Sequence, residues 1–133
     1  MRVFLDANIL FSAAQSHSRM RAFLDALLER AECLTNDYAI EEARRNLAAK
    51  FPDGVEALER LAKQCEVVLR LEADLEIELP LKDAPILGGA IAGQATHLLT
   101  GDERDFGKFW GRTIRGVKIV SPRMLADELR LAR

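Results

Sequence analysis

Short apolar segments alternate with longer amphipathic ones along the chain, and this alternation constrains the fold more than any other feature. The apolar segments are residues 2–5, 33–35, 66–71, 97–100 and 117–120. Their lengths and their bounding polar or turn-forming residues are typical of buried strands. Strands that alternate with helices form a parallel sheet with helices on both faces. The sequence therefore predicts an α/β fold, with the parallel sheet inside an α/β/α sandwich.

The segments between the predicted strands carry helix signals, chiefly apolar residues three and four positions apart. The predicted helices span residues 19–31, 37–51, 55–62, 83–95 and 121–129. Asn36 or Asp37 is placed to cap the second of these helices. Its apolar stripe is Ile40, Ala43, Leu47 and Phe51. Residues 72–81 are predicted to be a connection with room for a helical turn, and residues 101–111 a Gly-rich and aromatic loop.

The bulk properties point to one domain with a packed core. The chain has 133 residues, of which 49% are apolar, so a single domain over residues 1–133 is expected. The net charge of −2 provides no overall positive field, so a polyanion must bind a local patch. Cys33 and Cys65 fit no metal-ligand spacing and are predicted to be free thiols, which favours a reducing compartment. Because no signal peptide or membrane span is visible, we expect a cytoplasmic protein.

Carboxylates occur at the points where strands end or helices begin. The acids concerned are Asp6, Glu42, Asp83, Asp102 and Asp105. In a parallel α/β sheet these points lie at one edge, beyond the carboxyl ends of the strands. Clustered carboxylates repel one another at neutral pH unless they hold a hard cation or share protons. The acids therefore predict a site for a divalent metal.

Mg²⁺ or Mn²⁺ suits such oxygen ligands, and its charge allows a phosphate group to approach an acidic pocket. Hydrolysis of a phosphodiester is the natural reaction of a site of this kind. Each acid also has a purely structural interpretation. Asp83 is placed to cap a helix, and Asp102 and Asp105 can be turn residues. Glu41 and Glu42 are adjacent, and either can lie on a solvated helix face, although the spacing to Leu47 favours Glu42 as the inward one.

Four segments together resemble the PIN-domain nucleases. They read VFLDANIL at residues 3–10, EARRNL at 42–47, DAPIL at 83–87 and LLTGDERDF at 98–106. The resemblance covers nearly the whole chain and rests on the ordered set rather than on any single motif. A chain this short is similar to the toxin ribonucleases of the VapC type.

The resemblance implies a set of site residues and partners. It gives as ligands of Mg²⁺ or Mn²⁺ the side chains of Asp6, Glu42, Asp83 and Asp102, with Asp105 as a weaker or water-mediated contributor. Asn8 and Thr100 would support the ligands by hydrogen bonds. The expected activity is endonucleolytic cleavage of single-stranded RNA, and the expected partners are an antitoxin protein and a second copy of the chain.

Several other side chains are candidates for contacts with RNA. Basic residues that can rim the acidic edge are Arg44, Arg45, Lys50, Arg104, Lys108, Arg112 and Arg115. Phe106, Phe109 and Trp110 either stack on bases or pin their loop to the core. His17 is predicted to lie in an exposed loop and His97 to be packed at the start of a strand.

Two other functions remain open at this point. A phosphatase of the haloacid-dehalogenase type also has an acid after its first strand, and Gly101-Asp102 faintly resembles its later loop. However, it needs a second acid two residues after the first, and here that position is Asn8. The second alternative is a non-catalytic module whose acids bind a structural ion or a basic partner.

Overall fold

The structure of the chain, a computed structural model, describes residues 1–131. The strands are β1 (Arg2–Leu5), β2 (Glu32–Thr35), β3 (Glu66–Val67), β4 (His97–Leu99), β5 (Thr113–Ile114) and β6 (Val117–Val120). The α-helices are α1 (Ala7–Ala13), α2 (Arg19–Leu28), α3 (Asp37–Lys50), α4 (Val55–Ala62), α5 (Ala84–Ala92), α6 (Glu103–Phe106) and α7 (Pro122–Leu129). Short 3-10 turns, Pro52–Gly54 and Gly107–Phe109, precede α4 and follow α6.

The six strands form one sheet in the order β3-β2-β1-β4-β6-β5. All neighbours are parallel except β5 and β6, which are antiparallel. From β1 the chain adds β2 and β3 on one side and then crosses to add β4 on the other. The order of the strands therefore reverses between β1 and β4, and this is where open α/β sheets form their ligand crevice. The predicted α/β class with a largely parallel sheet is confirmed.

The central strands are covered on both faces. Val3, Phe4 and Leu5 are fully buried although successive side chains of a strand point to opposite faces. Leu98 and Leu99 in β4 are fully buried for the same reason. Such continuous apolar runs are typical of a parallel sheet between two layers of helices.

Side-chain caps fix where several helices begin. The hydroxyls of Ser18 and Ser121 accept from backbone N–H groups in the first turns of α2 and α7, at 3.3 and 3.2 Å. Asn36, not Asp37, caps α3, since its Oδ1 accepts from the Ala39 N–H at 3.0 Å. These contacts satisfy N–H groups that have no partner within the helix.

Asn36 also holds α5 against the sheet. Its amide group donates to the Pro85 carbonyl at 3.0 Å, so one side chain joins the starts of α3 and α5. This approach requires Gly89, where an added Cβ would lie 2.4 Å from Asn36 Nδ2 and 3.1 Å from the Phe4 ring. The close contact fixes the start of α5 beside the ends of β1 and β2.

Several predicted boundaries were wrong. Residues 6–14, for which no separate helix was predicted, contain α1, and α2 ends at Leu28 rather than at residue 31. The third strand keeps only Glu66–Val67 of the predicted residues 66–71, and Leu69 is 85% exposed. Phe51 is exposed instead of completing the buried stripe of α3, because it follows the last helical turn. The segment 101–111 is not a loop throughout, since it includes α6 and a 3-10 turn.

The edge hairpin of β5 and β6 was not predicted either. Its two turn residues, Arg115 and Gly116, have φ angles of +51° and +85°, which is the pattern of a type I′ turn. Arginine is an unusual choice for the first position, because a left-handed backbone costs a non-glycine residue about 1 kcal/mol. Here Arg115 is held by ion pairs at 3.6–3.8 Å with three acids, which are Glu72, Asp74 and Glu76. These contacts tie the hairpin to the connection that leads into α5.

Within residues 1–131, none of the helices has both the length and the apolar character that crossing a membrane requires.

Cys33 and Cys65 are free thiols, and burial raises their pKa values to about 12 and about 11. Both thiols are therefore protonated and unreactive at neutral pH.

Candidate metal centre

Asp6 lies at the end of β1, where its backbone begins α1. Its side chain is 3% exposed, and hydrogen bonds satisfy both carboxylate oxygens. Oδ1 accepts from the Ala7 N–H at 2.6 Å. Oδ2 accepts from the Thr100 hydroxyl at 2.7 Å and from the Asn8 amide at 3.1 Å. The orientation of this carboxylate is therefore fixed by the protein alone.

Thr100 and Asn8 join the loops that follow β1 and β4. The Thr100 hydroxyl, which donates to Asp6, also accepts from the Asp102 N–H at 3.0 Å. Asn8 Oδ1 accepts from the Gly101 N–H at 2.8 Å. Two acids from different strands are thus held in one hydrogen-bonded arrangement, with Thr100 fully buried between them.

Asp83, Asp102 and Asp105 form a compact group of acids. One carboxylate oxygen from each lies within 4.8 Å of the others. Asp102 caps α6, because its Oδ1 accepts from the Asp105 N–H at 3.0 Å. One of its two oxygens therefore has the structural role that a turn residue would have. Asp83 precedes α5, but its side chain makes no capping hydrogen bond. The interpretation of Asp83 as a helix cap is therefore wrong.

Two oxygens in this group have no hydrogen-bond donor. Asp83 Oδ2 and Asp105 Oδ2 are both buried and unpartnered within the part of the chain that the structure describes. Buried carboxylate oxygens without donors are costly, and a hard cation or a shared proton is what satisfies them. The three-residue acidic cluster of Asp83, Asp102 and Asp105 therefore fits a divalent metal ion, which prefers carboxylate oxygens and retains several waters.

Glu42 belongs to the same region, although it lies outside the 4.8 Å group. It is half-buried on α3, and its negative charge acts on Asp6 and raises the pKa of that carboxyl. Its neighbour Glu41 is exposed and forms an ion pair with Arg44. Of these two adjacent acids, Glu42 is thus the one close to the site.

The family profile of the PIN domain matches residues 2–104 of the chain. The chain belongs to the PIN domain family. PIN domains are nucleases, and they generally use divalent metal ions. No match was found among curated proteins.

Solved structures of two bacterial systems share this fold. VapBC2 from Rickettsia felis, bound to a fragment of promoter DNA, gives a TM-score of 0.67 at 17% identity over 91% of this chain and 98% of that one. FitAcB from Neisseria gonorrhoeae gives a TM-score of 0.58 at 19% identity over the same shares of the two chains. FitAB bound to a DNA fragment gives 0.58 at 17% identity over 90% of this chain and 94% of that one. At these identities the likeness concerns the fold.

Electrostatics in this PIN domain favour partial protonation of the acids when no cation is bound. Burial raises the pKa of Asp6 to about 6, with the hydrogen bonds from Thr100 and Ala7 opposing the shift and the charges of Glu42 and Asp102 adding to it. Burial also raises the pKa of Asp83 to about 7, and the close approach of the Asp105 carboxylate acts in the same direction. The neighbouring Asp83 carboxyl lowers the pKa of Asp105. One proton shared by Asp83 and Asp105 accounts for these opposite directions.

The surroundings of the PIN-domain site differ from the predicted rim. Phe106 and Phe109 are buried in the core, so they do not offer faces to RNA bases. Arg44 and Arg115 are engaged in ion pairs with nearby acids. A basic group that was not predicted does reach the acidic cluster. It is Lys82, whose Nζ lies 3.5 Å from Asp105 Oδ2. Its position directly before Asp83 was the only sequence signal that it would be near.

Proposed function

We propose that this PIN domain is a metal-dependent ribonuclease that hydrolyses phosphodiester bonds of single-stranded RNA. The observation that carries the proposal is the convergence of acids from separate segments, two of whose buried oxygens lack any donor. Mg²⁺ or Mn²⁺ bound there would polarise a phosphate group and activate water at neutral pH. The family supports nuclease chemistry, and the acids support a divalent metal.

The proposed roles of the site residues differ. Asp83, Asp102 and Asp105 are the proposed direct ligands, so Asp105 takes a larger part than the sequence resemblance gave it. Asp6 and Glu42, the other two proposed ligands, would bind the ion or its waters from the side of β1 and α3. Asn8 and Thr100 hold the Asp6 carboxylate in one orientation, which is how groups behind a ligand sharpen a metal site.

Single-stranded RNA is the proposed substrate because of what surrounds Glu42. Tyr38 is 58% exposed one helical turn before Glu42, and Arg45 is exposed one turn after it. Arg45 forms no ion pair with any described residue. An aromatic face and a free guanidinium provide stacking for an unpaired base and a contact for a phosphate.

We also propose that the protein is the toxin of a toxin–antitoxin pair and that it forms a homodimer. The antitoxin partner is supported by the similarity of the fold to the VapBC and FitAB systems over nine-tenths of the chain, whereas the homodimer rests on the family resemblance. The phosphatase alternative gains no support, because the amide of Asn8 is occupied in binding Asp6 and Gly101. Antitoxin binding is tested by co-expression with the product of an adjacent gene, and dimerisation by light scattering.

The activity is tested by incubating RNA with the purified protein and Mn²⁺, with and without EDTA. We expect the parent protein to cleave RNA and EDTA to abolish this cleavage. The Asp6→Asn variant should not cleave RNA, although its circular dichroism spectrum should match that of the parent. Asp53→Asn is the matched control, because Asp53 is an exposed acid in the turn before α4. Cleavage by Asp6→Asn at the parent rate would refute the assignment. Release of free phosphate from phosphomonoesters without RNA cleavage would favour the phosphatase. Metal binding without any turnover would favour a non-catalytic module.

A further inference from the structure

Lys82 is the basic side chain that reaches the acidic cluster. Its Nζ lies 3.5 Å from Asp105 Oδ2, and no other described residue places a cation on Asp83, Asp102 or Asp105. Asp105 Oδ2 is also one of the two buried oxygens without a hydrogen-bond donor. At this distance Lys82 contributes charge to Asp105 but no well-formed hydrogen bond. The ammonium group therefore partly neutralises the cluster and leaves the oxygen open to a stronger ligand.

The backbone of Lys82 is fixed while its side chain is free. The Asp83 and Ala84 N–H groups both donate to the Pro80 carbonyl, at 2.9 and 3.1 Å, which closes a turn around Lys82. The side chain itself is 65% exposed. Lys82 can therefore change its partner without any change in the backbone that positions Asp83. Its ammonium group must nevertheless stay at the rim of the cluster, within the length of one lysine side chain.

A divalent ion bound by Asp105 would repel the ammonium group and compete with it for the same oxygen. The displaced charge would then lie beside the place where the phosphate of a substrate meets the ion. We propose that Lys82 is a substrate-binding residue, which pairs with Asp105 in the metal-free protein and with an RNA phosphate when the cluster holds its ion. This inference rests on the proposed function. It adds the residue that links occupation of the metal site to binding of RNA.

Metal affinity provides the first test and requires no activity. Titration calorimetry with Mn²⁺ should give a dissociation constant about 3- to 10-fold lower for Lys82→Gln than for the parent, because a competing positive charge is removed. Lys82→Arg should retain the parent value. Lys63→Gln is the matched control, since Lys63 is an exposed lysine just before β3, at the opposite edge of the sheet.

RNA affinity provides the second test. Fluorescence anisotropy with a short single-stranded RNA is measured in an Asp6→Asn background, which prevents cleavage but retains Asp83, Asp102 and Asp105. In Mn²⁺, Lys82→Gln should weaken binding about 3- to 10-fold and reduce the slope of log K against log salt concentration by about 0.7, the value for one phosphate contact on a single strand. In EDTA the same substitution should have little effect, because the lysine is then engaged by Asp105.

The outcomes separate the two claims. If Lys82→Gln matches Lys63→Gln in Mn²⁺ affinity and in RNA binding, the inference is overturned and the proposed function stands. Tighter Mn²⁺ binding with an unchanged RNA salt dependence also overturns it, because Lys82 would then be only a counter-ion. Failure of the parent to bind Mn²⁺ at all overturns the proposed function and this inference together.

Discussion

The two sides of the acidic site are held in different ways. On the side of β1, Asp6 receives hydrogen bonds from Ala7, Asn8 and Thr100, so its carboxylate is oriented without any ion. On the side of α5 and α6, Asp83 and Asp105 each have a buried oxygen with no donor. The first side is preorganised by the protein, whereas the second is completed only by a proton or a cation. The comparison indicates that metal binding and proton binding compete mainly at the cluster of Asp83, Asp102 and Asp105.

Asp83→Asn should separate activity from stability. Mutating a residue that only supports a metal ligand typically lowers activity 10- to 100-fold. Because Asp83 is a proposed direct ligand, we expect RNA cleavage to fall roughly a thousand-fold or more. The metal-free variant should nevertheless be more stable at pH 8 by about 1–3 kcal/mol, since a buried charge beside two other acids is removed. Urea unfolding in EDTA measures this gain.

Asp6→Asn is the comparison variant for that measurement. Its new amide would face the amide of Asn8, which already donates at that point, so part of the gain from removing the charge is lost. We therefore expect a smaller gain in stability for Asp6→Asn than for Asp83→Asn. A larger gain for Asp6→Asn would contradict the proposed difference between the two sides.

Stability should depend on pH in the direction set by the raised pKa values. Asp6 and Asp83 have folded-state pKa values of about 6 and about 7, above the usual value for aspartic acid. Between about pH 4 and pH 7 the folded protein therefore binds more protons than the unfolded chain, and its stability falls as the pH rises through this window. The shift of Asp6 alone corresponds to about 3 kcal/mol. Thermal unfolding in EDTA from pH 4 to pH 8 measures the loss.

Mn²⁺ should reverse that loss at high pH. At 100 times its dissociation constant a ligand adds about 2.7 kcal/mol of stability, and this applies most fully where the acids are ionised. The increase in melting temperature on adding Mn²⁺ should therefore be larger at pH 8 than at pH 5. An equal increase at both values would show that the ion binds elsewhere.

Much of this architecture was predictable from the sequence because its signals are local. The starts of α3 and α7 follow from Asn36 and Ser121, and the apolar runs of β1 and β4 identify the central strands. The strand order was not predictable, since it depends on which side of β1 each crossover packs. The hairpin at Arg115 was missed because its turn lacks the Asn-Gly or Asp-Gly pair that normally marks a type I′ turn.

The site was predictable to a similar degree. The positions of Asp6 and Asp102 after strands indicate one edge of the sheet, and the structure brings them together through Thr100. The contact between Lys82 and Asp105 was not predictable, because it depends on how a connection without regular structure turns before α5. The spacing to Leu47 on α3 did indicate that Glu42 rather than Glu41 faces inward, and Glu42 is half-buried whereas Glu41 is exposed.

Thr100→Val tests the hydrogen-bonded side. The substitution keeps the shape of the side chain but removes the hydroxyl that Asp6 and the Asp102 N–H share, at a cost of about 1–3 kcal/mol in stability. Activity should fall roughly 10- to 100-fold. Because the lost bond lowers the pKa of Asp6, the acidic limb of the pH–rate profile should move to higher pH. Thr35→Val is the matched control, since its equally buried hydroxyl donates to the Leu5 carbonyl and should affect stability alone.

The smallest effect is expected for Glu41→Gln, which tests where the acidic site ends. Glu41 precedes Glu42 in the chain, but it is exposed and its charge is paired with Arg44. Because exposed ion pairs contribute little, we expect a loss below about 0.5 kcal/mol in stability and an unchanged rate of RNA cleavage. Glu42→Gln should instead reduce cleavage markedly. It should also lower the pKa of Asp6, because the negative charge of Glu42 favours the protonated form of Asp6. Equal losses of cleavage in the two variants would mean that net negative charge on α3, rather than the position of one carboxylate, is what the reaction requires.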